Sequence, residues 1–433
     1  RLEKIATLIT KLSHLIQNGY SQGNKLHIHI LGICGTFMAG LAGLAIQKGY
    51  KVTGQDKAYY SPMSDQLISL GIKENKTEGI INDLHKCDAV IIGNSQSRGN
   101  ESVEYILDKN INYYSGPEWI KKYILMDKHV FVVSGTHGKT TTTSMLIKIL
   151  KDSDLDPSYL VGGIFKEDNI SFKYTNSDYF IIEGDEYDTS FFDKRSKFFH
   201  YIPKTLIINN IEFDHSDIFE NIDQIKKQFH FLIRTMSKNT NVIYDNFDKN
   251  ISSLISMGCW SKKIKINQIK NIKNIIGEHN LKNASAAIEA AKTIGITKDK
   301  SIKSLEKFSG VKRRLELINN DKFVIYDDFA HHPTAISASI EAVRSKHPGS
   351  NITVIFEIRS NSMTSGAHKE NLKNSFAGAD QVYIYCNREI NWFKNSNNFM
   401  LYNDINTIIE KISANTENVD IVILMSNGDT SFI

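Results

Sequence analysis

HVFVVSGTHGKTTTTSMLIKILK (residues 129–151) passes from an unbroken run of β-formers, through a loop with two glycines, into a helical pattern of apolar residues. Strand, loop and helix in that order gather successive loop N–H groups and a helix N-terminus around one point, a concave positive site suited to phosphate oxygens. Lys139 can reach the β- and γ-phosphates, and the Thr140 hydroxyl is available to Mg²⁺. The string departs from GxxxxGK[ST] at its first position, where Val133 stands in place of glycine. With strand and helix both flanking it, the loop is read as a nucleotide site.

Mg²⁺ takes hard oxygen ligands, commonly one or two carboxylates beside the phosphates. Glu183 closes the apolar part of YFIIEGDE (179–186), and three more acids, Asp185, Glu186 and Asp188, follow within five positions. An acid at a strand end is often only a solvated edge residue. This many acids, downstream of a phosphate loop, point to a metal. His215, in IEFDHSD after the buried run TLIINN (205–210), is a further candidate, although alone it reads as structural.

Outward from this unit, strand-like and helix-like segments alternate, as in parallel α/β sheets. Upstream, HIHILGI (27–33) enters a glycine turn, a helix is expected around 38–48, and YKVTGQD ends at Asp56. DAVIIGN (88–94) then leads into the polar loop SQSRGNES. The second block, opened by HVFVVSG, continues to a helix beginning near Glu278. A third block from about Gly310 holds KFVIYDD (322–328), ITVIFEI (352–358), QVYIYC (381–386) and IVILMSN (421–427). Three consecutive α/β domains are predicted, over 25–125, 126–309 and 310–433. An extension, 1–24, precedes them. Its Ile5, Leu8, Ile9, Leu12, Leu15 and Ile16 fall at helical spacing, so an amphipathic helix docked on the body is expected rather than a targeting segment.

Bulk properties narrow the class. Of 433 residues, 41% are hydrophobic and 23% charged, in the range of globular proteins. The net charge of +4 is spread along the chain and does not suggest a nucleic-acid surface. No apolar run reaches the ~18 residues of a membrane span. Cys34, Cys87, Cys259 and Cys386 form no CxxC pair, so a reduced, cytoplasmic compartment is expected.

The first turn, within ILGICGTFMAGLAGL (30–44), raises the question of a dinucleotide. A GxGxxG fingerprint starting at Gly32 needs glycines where Cys34 and Phe37 stand, and has Gly35 instead. Asp56 does sit where an acid could hold a ribose hydroxyl, so that residue alone leaves NAD open.

GTHGKTT, IEGDEYD, NNIEFDH, GEHNLKNASAA (277–287), KRRLE (312–316) and DDFAHHPTA (327–335) occur in the order found in the Mur ligases. These enzymes add amino acids to UDP-linked muramyl precursors of peptidoglycan, and the resemblance runs from about His27 to the last residue. It implies a Rossmann-like UDP-sugar domain, a central P-loop ATPase domain and a C-terminal Rossmann-like domain. Within the family, GICGTFM, EYDTSFFDKRSKFFHY (186–201) and EIRSNSM (357–363) resemble members that attach the preformed tripeptide L-Ala-γ-D-Glu-meso-diaminopimelate to UDP-N-acetylmuramate during cell-wall recycling. The branch that adds L-alanine is expected to read closer to GIGGIGM at the first stretch, and is the alternative. A protein that binds ATP as a switch without ligation is the alternative of another class.

The implied chemistry is transfer of the ATP γ-phosphoryl group to the lactyl carboxylate of UDP-N-acetylmuramate. Attack by the tripeptide amine on the acyl phosphate follows. By the same resemblance, Gly135, Thr136, His137, Gly138, Lys139, Thr140, Thr141, Asn280, Arg314 and Asp328 bind ATP. Lys139, Glu183, His215 and His331 are the catalytic set. Thr140 and Glu183 hold one Mg²⁺, and His215 holds a second. Gly32, Gly35, Thr36, Asp56, Ser95, Arg98 and Asn100 face the UDP-sugar.

Arg359, with Ser360 and Asn361, is assigned to the peptide, whose carboxylates suit a planar guanidinium. Lys194, Arg195 and Lys197 are expected near the pyrophosphate or the peptide. Relatives carry a carbamylated lysine 14 or 15 residues after the metal histidine. Gln228, Phe229 and His230 occupy that region here, with Lys226 and Lys227 too early, so no carbamyl-lysine is expected. No residue suggests itself as a general base. Domain closure near Gly310, a bacterial cytoplasmic setting, and a monomer or weak homodimer complete the expectations. After SNGDTSFI, relatives are expected to continue through a glycine-rich turn into a closing helix.

Overall fold

Hydrogen bonding along the runs of β-formers builds three separate sheets, one after another in sequence. The computed structural model describes residues 25–80, 84–321, 323–396, 399–414 and 419–428. The proposed helix in 1–24 and the last five residues lie outside the described residues.

The first sheet has four parallel strands in the order β2 (Lys51–Gln55), β1 (His27–Leu31), β3 (Ala89–Ile92) and β4 (Tyr113–Ser115). The strand order reverses between β1 and β3, which opens a crevice beyond their C-terminal ends, where ligands bind in open α/β sheets. Helix α1 (Thr36–Gln47) leaves the glycine turn there. Its buried face packs on the central domain through Leu160 and Phe172. Polar contacts add to this junction, as Gln66 Oε1 accepts from Ser171 N and Oγ at 3.2 and 2.9 Å.

The central sheet has seven strands, ordered β11 (Lys262–Lys265), β10 (Asn241–Tyr244), β9 (Thr205–Ile208), β5 (His129–Ser134), β8 (Tyr179–Gly184), β6 (Ser158–Phe165) and β7 (Ile170–Lys173). All pairings are parallel except β6 with β7. Val130, Phe131, Val132 and Val133 of β5 are fully buried, as an apolar run covered on both faces should be. Helix α2 (Lys139–Lys151) follows, and α3 (Glu278–Lys292) packs beside it.

The third sheet runs β12 (Glu316–Asn320), β13 (Val324–Asp328), β17 (Ile421–Met425), β14 (Ile352–Glu357), β15 (Gln381–Tyr385) and β16 (Phe399–Tyr402), with only β12 antiparallel. Helix α4 (Pro333–Lys346) follows β13. The segment after Gly310 stays tied to the central domain, since Lys312 N donates to Ile164 O at 3.2 Å and Val311 bridges Phe165. No described helix is long and apolar enough to cross a membrane.

Candidate active site

The C-terminal ends of β1, β5, β8, β9 and β13 carry the loops that face one cavity of about 470 Å³. Gly35, Thr36, Phe37 and Asn94 line it from the first domain. Lys139, Thr140, Glu183 and His215 line it from the central domain, and Arg314 and His331 from the third. A second cavity of about 400 Å³ opens on the other side of His137 and Gly138, lined by Thr141, Asn280, Arg314 and Asp328.

The phosphate loop owes its shape to backbone geometry. Gly138 caps α2 at φ +77°, and a Cβ there would lie 2.4 Å from Asn283 Oδ1. No side chain caps this helix end, so its free N–H groups face the cavity as an anion site. The Asn210 amide holds the loop by accepting from His137 N at 2.8 Å.

Lys139 bends back over the loop. Its Nζ donates to Gly135 O at 2.7 Å and to Glu186 Oε2 at 2.9 Å. Burial works against the ammonium charge, but Glu186, Asp185 and Glu183 outweigh it and raise the lysine above its ordinary pKa. Glu186 also faces His215, with His215 Nε2 3.5 Å away. Burial opposes the charge of this histidine, and the Glu186 contact more than compensates, so its pKa is raised. Lys197 is buried too, paired with Asp185 at 2.8 Å.

Thr140 Oγ1 lies 3.2 Å from Glu183 Oε2, and Gly162 N donates to Glu183 Oε1 at 2.7 Å. Burial pushes the Glu183 carboxyl up, against the hydrogen bond from Gly162 and the charge of Arg314. A hydroxyl beside a carboxylate is a hard-oxygen pair of the kind Mg²⁺ selects. His215 stands against Glu186, apart from this pair. Arg314 enters from the third domain, stacked at 4.6 Å over the Phe329 ring. Asp328 is buried under the Ser339 hydroxyl, and His331 is pushed by burial down to about 4, so it is neutral near pH 7.

Other residues singled out in the sequence have structural partners. Asp56 accepts from Cys34 N at 2.9 Å and so pins the glycine turn. Asn100 caps the helix Glu101–Asp108, accepting from Ser102 N and Val103 N. Arg98 pairs with Glu104 at 2.9 Å, in an exposed loop. Neither Arg98 nor Asn100 lines the cavity. Ser95 sits under the turn, 3.1 Å from where a Gly32 Cβ would be. Lys194 and Arg195 pair with Asp188 and Asp193 in their own loop, leaving Lys197 to face the cavity. Gln228 Oε1 accepts from Ser196 N at 3.1 Å, and Phe229 packs on Phe198.

Arg359 is half-exposed, with Nη1 3.7 Å from Glu357. The residues after it reach the central domain. Asn361 Nδ2 donates to Asp217 at 3.2 Å, and Ser362 Oγ to Asp214 at 3.0 Å. Ser360 caps the short helix Asn361–Thr364 that carries both.

Asn94, Glu186, Glu212 and Ser362 were not among the residues singled out for the site. Glu186 lay in the acidic run already noted. Glu212 lies within NNIEFDH and Ser362 within EIRSNSM, but nothing in those stretches sets them apart, because what recruits them is contact across domains, with Thr334 and Asp214.

Comparison with known proteins gives matches along most of the chain. Residues 27–127 match the description "Mur ligase family, catalytic domain", residues 133–271 "Mur ligase middle domain" and residues 313–428 "Mur ligase, glutamate ligase domain". A UDP-N-acetylmuramate–L-alanyl-γ-D-glutamyl-meso-2,6-diaminoheptandioate ligase of Haemophilus influenzae is 40% identical, over 93% of this chain and 96% of its own. A UDP-N-acetylmuramate–L-alanine ligase of Clostridium tetani is 33% identical, over 93% and 95%. The crystal structure of a murein peptide ligase from Psychrobacter arcticus superposes with a TM-score of 0.71 at 33% identity, over 93% of this chain and 96% of that one.

Proposed function

The chain belongs to the Mur ligase family, and on that premise we propose that it joins the tripeptide L-Ala-γ-D-Glu-meso-diaminopimelate to UDP-N-acetylmuramate. It is an ATP-dependent carbon–nitrogen ligase of peptidoglycan metabolism. The tripeptide is preferred to L-alanine because identity is higher to the tripeptide-adding relative, 40% against 33%, each over 93% of the chain. ATP and a UDP-sugar as substrates fit a cytoplasmic setting.

The observation that carries the mechanism is the convergence of Lys139, Lys197 and Arg314 on one cavity. A carboxylate and a triphosphate repel each other, and their reaction needs positive charge fixed where they meet. ATP lies along the phosphate loop, with its base toward Asn280 and its γ-phosphate toward Lys139. Glu186 holds the lysine in place until phosphate oxygens replace its carboxylate. Glu183 and Thr140 would hold Mg²⁺, which screens phosphate charge when bound. Gly35, Thr36 and Asn94 face the UDP-sugar, whose lactyl carboxylate then points at the γ-phosphate.

The carboxylate oxygen attacks phosphorus, ADP leaves, and the acyl phosphate forms. The tripeptide amine, held through its carboxylates near Arg359, attacks the carbonyl carbon, and phosphate departs with the former carboxylate oxygen and takes up the proton that the amine gives up. His331, neutral at working pH, can take a hydrogen bond from the incoming amine without repelling it.

The test is turnover with ¹⁸O in the lactyl carboxylate, read by mass spectrometry. The expected result is UDP-N-acetylmuramyl-tripeptide together with inorganic phosphate carrying one ¹⁸O. Unlabelled phosphate would refute the acyl phosphate. ATP binding without any product would favour the switch protein.

A further inference from the structure

Among the residues that line the two cavities, three side chains take no step in the proposed reaction, although His137 also belongs to the loop that holds ATP. His137 of the phosphate loop, Glu212 of the loop after β9, and His332 at the start of α4 bring one ligand atom each within 4.8 Å of one another. Glu212 Oε2 is 3.6 Å from His137 Nε2 and 3.8 Å from His332 Nδ1. The two imidazole rings stand 4.5 Å apart.

Two observations point to a ligand here. His137 Nε2 is buried and has no hydrogen-bond partner, although it faces the carboxylate. A buried, unsatisfied ring nitrogen is costly unless something fills its place. His332 is 8% exposed in its side chain, and its Nδ1 takes only a long 3.3 Å hydrogen bond from Thr334 N. On its far side the ring packs on His368 at 4.5 Å, which fixes its orientation. Glu212 is oriented by the Thr334 hydroxyl at 2.6 Å.

The donor set decides the class of ion. Bonds of about 2.0–2.2 Å at a tetrahedral centre put neighbouring ligand atoms roughly 3.4 Å apart. The observed 3.6 and 3.8 Å come within a few tenths of an ångström of that spacing. Two imidazoles and one carboxylate suit Zn²⁺, Co²⁺ or Ni²⁺ and not Mg²⁺, which prefers an all-oxygen shell. The cluster shares no residue with the Thr140–Glu183 pair.

We propose that His137, Glu212 and His332 bind a zinc-type transition-metal dication that clasps the third domain to the phosphate loop. Glu212 and His137 lie on loops of the central domain and His332 at the start of a helix of the third. Occupancy therefore couples to the approach of the two domains, with solvent in the fourth position. It holds them together without nucleotide.

The experiment is a titration of the full chain, free of nucleotide and Mg²⁺, with CoCl₂, followed by visible absorption and by thermal melting. One equivalent of Co²⁺ is expected to give the intense absorption of a four-coordinate ion and to raise Tm, and Zn²⁺ is expected to bleach the spectrum by displacement. His332→Asn keeps an N-cap residue for α4 while removing the imidazole. It should weaken Co²⁺ binding at least tenfold and abolish the Tm rise, and Glu212→Gln should do likewise. The weak absorption of six-coordinate aqueous Co²⁺ in the wild-type protein, or an unchanged spectrum in folded His332→Asn, would overturn the site.

Discussion

Arg314 Nη2 lies 3.2 Å from Thr140 Oγ1, so a side chain of the third domain reaches the first helical turn after the phosphate loop. The residues on either side, Arg313 and Leu315, both have positive φ, +60° and +49°. Such backbone costs about 1–3 kcal/mol per residue and persists only where the surroundings enforce it. Arg313 supplies that enforcement by bonding Asp327 and the carbonyls of Ser426 and Gly428. Replacing Arg314 with alanine should lower ATP turnover on the order of 10²-fold, in the range of a lost charge-stabilising donor. Steady-state phosphate release checks this, and a change of less than about threefold would remove Arg314 from the phosphate site.

Gly162 carries a second prediction. A Cβ on this residue would sit 2.9 Å from Glu183 Oε2, and its N–H already holds the other oxygen. Gly162→Ala should push Glu183 off Thr140 and raise the Mg²⁺ concentration needed for half-maximal activity several-fold. An unchanged Mg²⁺ dependence would separate Glu183 from the metal.

Arg359 is half-exposed, and its guanidinium packs close over Gly428. Arg359→Ala should raise the KM for tripeptide at least tenfold while leaving the KM for ATP within twofold. Equal effects on both constants would show that it acts through the domain interface and not on the peptide.

His29 links the fold to pH. The residue is 3% exposed, and burial lowers its pKa from 6.5 to about 4. The unfolded chain therefore binds this proton first as pH falls, and stability declines from pH 6.5 down to about 4. The full effect is about 3 kcal/mol at 1.36 kcal/mol per unit. Denaturant melts across this window should slope less steeply in His29→Gln. An identical slope would assign the loss to other groups.

The three-domain plan was legible because parallel strands buried on both faces read as continuous apolar runs, as in HVFVV and ITVIFE. Edge strands lacked that signal. KKIK of β11 is mostly exposed, and ELINN of β12 alternates weakly, so neither reads as a strand. The motifs single out Lys139, Thr140, Glu183 and Arg314, and the structure brings all four to one cavity. Sequence gave no account of which polar groups meet. Asp56, Arg98 and Asn100 carry plausible chemistry, yet a turn, an ion pair and a helix cap employ them. Nothing in DDFAHHPTA sets His332 apart from its neighbour His331, because only the folded chain brings it to Glu212.

One competition tests the central claim. The protein, ATP, Mg²⁺ and UDP-N-acetylmuramate are incubated with equimolar tripeptide and L-alanine, and the products are weighed by mass spectrometry. The account predicts the UDP-N-acetylmuramyl-tripeptide alone. UDP-N-acetylmuramyl-L-alanine as the main product would contradict it.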